Sequence, residues 1–259
     1  MATSPVVTRL CHAVDAGLRE LDLPLVTAAA ERVATTVLAG GRLFATGSAD
    51  FTSEAVVRGG GLMIVEPLAA GGGECGPGDA VLVGWTLECG SAEERSELGA
   101  LLRSLASAGA CVVGIGPAEA VDALPSGSAA ESFYHLPSRA PGLVIVAEAL
   151  TGRHPYALHS LQNIALLWVL TAELTAALTR QGDMPVFWQS VLVEGARERN
   201  AAHEAASTAR LIAEDGISTQ RSEGNDGRAR LEANHVVPPQ PVGALGERYI
   251  SELQARLAA

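Results

Sequence analysis

The stretch Leu43-Phe44-Ala45-Thr46-Gly47-Ser48 decides the fold class of this chain. Its first four residues form an apolar run that is too short for a helix, and a glycine and a serine follow it. Similar runs recur at residues 62–65, 80–83, 111–115 and 143–146, each bounded by glycine or proline. Continuous apolar runs are typical of strands that are covered on both faces, so the pattern predicts a parallel sheet.

Helical segments separate these runs. Apolar spacing over about 7–38, broken near Leu23-Pro24, predicts two N-terminal helices that end at Gly40-Gly41. Residues 91–94, Ser-Ala-Glu-Glu, form a capping box before an amphipathic helix. A further helix over about 156–179 is apolar nearly all round and is expected in the core or at a subunit interface.

Alternating strands and helices indicate an α/β doubly wound, five-stranded parallel sheet. We expect the flavodoxin-type strand order 2-1-3-4-5, with N-terminal helices before it. Residues 1–215 are expected to form this domain, and residues 216–259 a flexible loop and a helical C-terminal extension.

Composition excludes several function classes. All 18 basic residues are arginine, so a lysine Schiff base and a phosphate-binding GK[ST] loop are impossible. A net charge of -11 argues against a nucleic-acid partner. The cysteines show no zinc-site or disulfide spacing, and residues 1–5 do not resemble a secretory signal, so we expect a cytoplasmic protein. The apolar helix carries Gln162, Asn163 and Glu173, which favours a buried helix over a membrane span.

The expected strand order selects two loops before any motif is considered. In a sheet of this order, ligands bind where the order reverses, beyond the carboxyl ends of the first and third strands. These loops are residues 47–54, Gly-Ser-Ala-Asp-Phe-Thr-Ser-Glu, and 84–91, Gly-Trp-Thr-Leu-Glu-Cys-Gly-Ser. Both are rich in small and hydroxyl residues, and each contains an acid but no arginine.

The order of these motifs resembles the sugar isomerase (SIS) domain family, and in particular its small bacterial members of uncharacterised function. The resemblance covers residues from about 10 to 210 and rests on the stretches 40–48, 53–62, 78–83, 109–115, 172–174 and 185–200. It implies a sugar or sugar-phosphate ligand, a homodimer or homotetramer, and chemistry that needs no cofactor. It does not identify the substrate.

The third-strand loop departs from the family pattern. SIS domains usually carry a serine- and threonine-rich phosphate loop there, whereas this loop keeps only Thr86, Gly90 and Ser91 and adds Glu88. Two like charges about 4 Å apart repel by roughly 1 kcal/mol in water and about 4 kcal/mol at an effective dielectric of 20. An unphosphorylated or amino-bearing sugar is therefore expected, unless Arg42, Arg58 or Arg153 compensates.

The candidate catalytic residues divide into two kinds. Glu54 and Glu88 are candidate bases for a proton next to a carbonyl. The alternative for Glu54 is compensation of the helix dipole in a first turn, and the alternative for Glu88 is exposure to solvent. The resemblance makes His159 a candidate proton shuttle, against a surface or capping histidine.

The candidate substrate-binding residues carry hydroxyl or amide groups. The hydroxyls can instead cap helices, and Gln162 is expected to lie beside His159 and orient its imidazole or a substrate hydroxyl. These residues are Ser48, Thr52, Ser53, Thr86, Ser91 and Gln162.

Two functions follow as expectations. The first is a sugar isomerase of the aldose–ketose type, acting through an enediol; a mutase or lyase that uses the same proton abstraction stays open. The second is a non-catalytic sugar-binding or regulatory module. No metal and no redox cofactor is expected for either.

Overall fold

The structure is a computed structural model that describes residues 5–69, 75–86, 92–117, 125, 133–138, 158–215 and 251. Its helices and strands alternate along most of the chain. In order, they are α1 Pro5–Arg19, α2 Leu23–Leu38, β1 Leu43–Gly47, α3 Ala49–Val57, β2 Val65–Pro67, β3 Ala80–Gly84, α4 Ala92–Ser107, β4 Cys111–Ile115, β5 Phe133–Leu136, α5 Leu158–Arg180 and α6 Ala196–Asp215.

The strands form one five-stranded sheet in the order β2-β1-β3-β4-β5. Every pairing in it is parallel, and β1 pairs with β3 from Leu43 opposite Ala80 to Gly47 opposite Gly84. The predicted α/β class and the five-stranded parallel sheet are therefore confirmed. Because all strands run the same way, their carboxyl ends meet at one edge of the sheet.

The position of the second strand differs from the prediction. The apolar run 62–65 was expected to form it, but β2 begins at Val65 and ends at Pro67. Leu62 instead makes an isolated antiparallel bridge with Phe187, and it is buried there. β2 can end at Pro67 because it is an edge strand. The N–H that proline lacks can face away from the sheet there, so no carbonyl of a neighbouring strand loses its partner.

The fifth strand also differs from the prediction. The sheet's fifth strand is β5, Phe133-Tyr134-His135-Leu136, whereas the run 143–146 lies outside the described residues. Only Leu136 of this strand is fully buried. An edge strand need not be apolar along its whole length, so a search for continuous apolar runs misses it.

The predicted N-terminal helices are confirmed as α1 and α2. The Asp22 carboxylate accepts a hydrogen bond of 3.1 Å from the Leu25 backbone N–H and caps α2. Pro24 fits the first turn because its missing N–H would have had no partner within the helix. Asp22 and Pro24 therefore fix where the second helix begins.

The core has two parts, one on each face of the sheet. On one face, α2, α3 and α5 cover inward side chains such as Leu43, Leu82 and Val113. On the other, Leu102 and Leu105 of α4 cover a second set that includes Phe44. Successive residues of a strand point to opposite faces of the sheet. Because helices cover both faces, the central strands are apolar along their whole length.

The long helix α5 is largely apolar and packs along α2. By length and composition its residues His159–Arg180 could cross a membrane, but 67% of the 18-residue apolar stretch within them is buried inside the protein. Its polar exception Glu173 is fully buried and accepts a hydrogen bond of 3.4 Å from the Thr27 hydroxyl of α2. Burial of Glu173 agrees with the prediction that this helix is buried.

Candidate functional site

A pair of glycines shapes the carboxyl ends of β1 and β3. Gly47 lies opposite Gly84, and a Cβ on Gly47 would stand 1.9 Å from the Gly84 carbonyl oxygen. Gly47 also has a φ of +115°, which L side chains rarely adopt. The Ser48 N–H then donates to the Gly84 carbonyl over 2.9 Å. The loop after β1 is therefore held directly against the end of β3.

Ser48 and Asp50 begin α3 at this edge of the sheet. Ser48 is the N-cap residue, yet its hydroxyl makes no capping bond to the helix backbone. The buried Ser48 hydroxyl has no hydrogen-bond partner among the described residues. Burial raises the pKa of the Asp50 carboxyl, but the Ser160 hydroxyl and the backbone N–H groups of Phe51 and Asp50 outweigh it and hold that pKa below its ordinary value of 3.8. Asp50 is therefore a carboxylate at neutral pH.

The first turn of α5 meets the first turn of α3 here. Ser160, which bonds Asp50, lies in that turn, and His159 is its chain neighbour. His159 and Ser160 are both half-buried. The structure thus brings Ser160, the chain neighbour of His159, to Asp50, although 110 positions separate Ser160 and Asp50 in the printed sequence.

Asn163, one turn further along α5, contacts the end of the third strand. Its side-chain N–H donates to the Trp85 carbonyl over 2.6 Å, and the residue is 1% exposed. Its carbonyl oxygen Oδ1 has no hydrogen-bond partner among the described residues. Thr86, which follows Trp85, is buried as well. In the sequence, Asn163 is recognisable only as a polar residue that interrupts an apolar helix. That interruption is the signal that could have identified it as a site residue.

The Trp85 ring closes the β4 and β5 side of this edge. It stacks on His135 with ring centroids 5.6 Å apart, and its indole N–H donates to the Pro117 carbonyl over 2.8 Å. Small residues make room for the ring, since a Cβ on Gly114 would lie 2.7 Å from it. The polar groups that remain gather between β1, β3 and the start of α5. We call this region the crevice and define it by Ser48, Asp50, Thr86, Ser160 and Asn163.

Glu54 points away from the crevice. Its carboxylate accepts a hydrogen bond of 2.7 Å from the Trp168 indole and pairs with Arg58. Trp168 lies nine residues after His159, about 13.5 Å along a helix. Glu54 is also the sixth residue of α3, so compensation of the dipole in a first turn does not explain it. The structure does not bring Glu54 and His159 together.

Gln162 also lies apart from the crevice. It lines a cleft formed with Leu18, Ser138 and Leu166, on the side of α5 that faces α1. Residues three apart on a helix are neighbours, so the place of Gln162 beside His159 stays a prediction. Among the other predicted hydroxyls, Thr52 and Ser53 lie inside α3 and are not its caps. Glu88 and Ser91 lie outside the described residues.

Two described arginines, Arg42 and Arg58, could have neutralised a phosphate in the crevice, but both are paired elsewhere. Arg42 precedes β1, at the opposite edge of the sheet, where Asp79 accepts its backbone N–H over 2.9 Å and contacts its guanidinium. Arg58 pairs with Glu54 and stacks on Trp168. Arg153 lies outside the described residues. Asp50 thus gives the described crevice a negative charge.

The described residues hold no group of three or more His, Cys, Asp and Glu side chains arranged to bind a metal ion. Cys11, Cys75 and Cys111 are free thiols.

The chain matches no protein-family model, and no curated protein matches it. The resemblance to SIS domains therefore stays a prediction that rests on the quoted motifs.

Proposed function

We propose that this chain is an SIS-type protein that binds an unphosphorylated or amino-bearing sugar in the crevice. The strand order, and helices on both faces of the sheet, support a doubly wound arrangement of that type. In sheets of this order the ligand lies beyond the carboxyl ends of the strands where the order reverses, which are β1 and β3. The crevice occupies that place.

One observation carries the proposal: Asp50 is held as a carboxylate beside the Ser160 hydroxyl of α5, and the buried hydroxyl of Ser48, the residue before α3, has no hydrogen-bond partner among the described residues. A carboxylate accepts hydrogen bonds from sugar hydroxyls or an amino group, and each serine hydroxyl can both donate and accept. A few convergent polar groups of this kind fix the orientation of a small ligand. Because Arg42 and Arg58 are engaged elsewhere, neither of these described arginines would compensate the repulsion between a phosphate and Asp50.

Titration with unphosphorylated sugars, amino sugars and their phosphate esters tests this proposal. We expect saturable binding of at least one neutral or amino sugar, and weaker binding of its phosphate ester. Asp50→Asn should weaken binding of the preferred sugar at least tenfold. It should also reduce the difference in affinity between that sugar and its phosphate ester. Asp183→Asn, in the exposed turn after α5, is the matched control and should leave both affinities unchanged. Tighter binding of the ester to the unaltered protein would contradict the proposal.

A sugar isomerase is the second candidate, and the position of His159 favours it. This imidazole is the chain neighbour of Ser160, whose hydroxyl bonds the crevice carboxylate. In an enediol reaction a base removes the proton from the carbon next to the carbonyl while the carbonyl oxygen gains a proton; the hydroxyl on that neighbouring carbon then loses its proton as the former carbonyl carbon gains one. His159 would move the proton between the two oxygens, with Glu88 as the base.

Incubation in deuterium oxide separates these two functions. An isomerase incorporates deuterium at the carbon next to the carbonyl of the sugar that it binds, and His159→Gln should slow that exchange. A binding module shows saturable binding of the same sugar without exchange. Glu54→Gln is informative as well, because loss of exchange without loss of folding would assign the base to Glu54 despite its contact with Trp168.

A further inference from the structure

The contacts around the crevice connect its polar residues in a ring. The Ser48 N–H donates to the end of β3 over 2.9 Å, and the Trp85 carbonyl that follows accepts from Asn163 over 2.6 Å. Asn163 lies three positions after Ser160, the residue that bonds Asp50. Because residues three apart on a helix are neighbours, Asp50, Ser160 and Asn163 follow one another along one side of the crevice.

Asn163 can only accept a hydrogen bond from a ligand. Its side-chain nitrogen already donates to the Trp85 carbonyl, and turning the amide round would place two carbonyl oxygens in contact. The other amide atom, Oδ1, has no hydrogen-bond partner within the described part of the chain, and the residue is 1% exposed. The large majority of buried polar side-chain atoms in proteins are hydrogen-bonded. Oδ1 is therefore an acceptor that lacks its donor.

Asp50 adds a second acceptor and a negative charge. Its side chain is exposed and ionised at neutral pH, so it is open to a ligand. Arg42 and Arg58 are paired elsewhere, and neither neutralises it. The Ser48 hydroxyl oxygen supplies a third atom that has no partner among the described residues. A positively charged group with several N–H donors matches all three atoms.

We propose that the crevice selects a sugar with a free, protonated amino group, and that Asp50 and the Asn163 Oδ1 atom both accept from this ammonium. The assignment rests on the proposed function and narrows it to one class of ligand. An ammonium has three N–H donors and a hydroxyl has one, so a single ammonium can serve Asp50, Asn163 and Ser48 together. Charge-assisted hydrogen bonds are also roughly twice as strong as neutral ones.

Matched sets of sugars test the assignment on the full chain. Glucose, galactose and mannose are each compared with their 2-amino and 2-acetamido forms, at a pH where the amine is protonated. Calorimetric titration should show one 2-amino sugar binding at least tenfold more tightly than its parent hexose and its 2-acetamido form, which has no charge. Saturable binding of a hexose that equals or exceeds that of its 2-amino form would overturn the ammonium assignment and leave sugar binding in place. Absence of saturable binding by all nine sugars would overturn the proposed function as well.

The ratio of amino-sugar affinity to hexose affinity tests the two residues separately. Asp50→Asn should reduce this ratio at least tenfold, and Asn163→Leu at least fivefold. Thr175→Val also replaces a polar residue of α5, but 12 positions further along the helix, and should leave the ratio unchanged. If Asn163 only supports the fold, Asn163→Leu would weaken all sugars alike and keep the ratio constant, which would overturn its assigned contact.

The side-chain amide signals of Asn163 give a test that needs no substitution. In nuclear magnetic resonance spectra of the unaltered protein, the 2-amino sugar should shift these signals saturably, with the same midpoint as the calorimetric titration. This measurement decides the role of Asn163 even if Asn163→Leu fails to fold. An ordered water that stays bonded to Oδ1 in a high-resolution structure of the amino-sugar complex would overturn the contact.

Discussion

The Trp168 indole N–H donates to the Glu54 carboxylate over 2.7 Å, although 114 positions separate the two residues in the sequence. The same carboxylate pairs with Arg58, whose guanidinium lies 4.9 Å from the Trp168 ring centre. Glu54, Arg58 and Trp168 thus connect α3 to the middle of α5. This contact helps hold the two helices whose first turns form the crevice.

Trp168→Phe should lower the free energy of unfolding by about 1–3 kcal/mol, because it removes a hydrogen bond to a charged acceptor. Trp188→Phe is the matched control, since the Trp188 indole N–H has no partner within the described residues. Its cost should be about 1 kcal/mol or less, from lost packing alone. Urea denaturation of both variants measures the difference. Equal costs would show that the Glu54 contact contributes little.

Acid stability should depend on Asp50. Its pKa in the folded protein lies below the ordinary value of 3.8, so its contribution is fully present above pH 3.8 and is lost as the pH falls through the folded value. The stability difference between the unaltered protein and Asp50→Asn should therefore shrink on acidification below that value. Urea denaturation as a function of pH measures it, and a difference independent of pH would contradict the assigned hydrogen bonds.

Ser160→Ala should raise the pKa of Asp50, because it removes the largest of the hydrogen bonds that lower it. Carbon-13 resonance of the Asp50 carboxyl, followed against pH, measures the change directly. Ser53→Ala, on the same helix as Asp50 but exposed, is the control. If both variants titrate alike, Ser160 does not hold the carboxylate.

The Cys111 thiol should resist alkylation in the folded protein. Burial raises its pKa from 9.0 to about 11, against an opposing effect of Arg32, and the side chain is 3% exposed. A rise of this size leaves about 100-fold less thiolate near pH 8, and only the thiolate reacts with iodoacetamide. Peptide mass spectrometry should find Cys111 modified in urea but not in buffer. Rapid modification in buffer would mean that the β4 strand opens readily.

Gly84→Ala should destabilise the protein by about 1–3 kcal/mol, because overpacking forces neighbouring atoms to move. The added Cβ would stand 2.1 Å from the Phe51 ring, which packs on the end of β3. At Gly76 nothing lies within 4 Å of an added Cβ, so Gly76→Ala is the control and should be nearly neutral. Because Phe51 follows Asp50, Gly84→Ala should also weaken sugar binding if the crevice is the site.

Sequence patterns predicted the elements of this fold better than they predicted the contacts of the site. Four of the five observed strands coincide with or overlap a predicted apolar run. The fifth, β5, was missed because an edge strand with only Leu136 fully buried does not show such a run. Of the candidate site residues, Ser48, Thr86 and His159 lie at or beside the crevice, while Glu54 and Gln162 lie elsewhere.

The sequence by itself determined the parallel sheet, the two N-terminal helices and a charge balance without lysine. These properties follow from burial and composition, which short stretches of sequence show as apolar runs, helix caps and residue types. Only the tertiary structure decided that Glu54 bonds Trp168, that Ser160 bonds Asp50 and that Gln162 turns toward α1. Those contacts depend on how α5 is rotated and placed against α3 and α1, and packing between distant elements sets that placement.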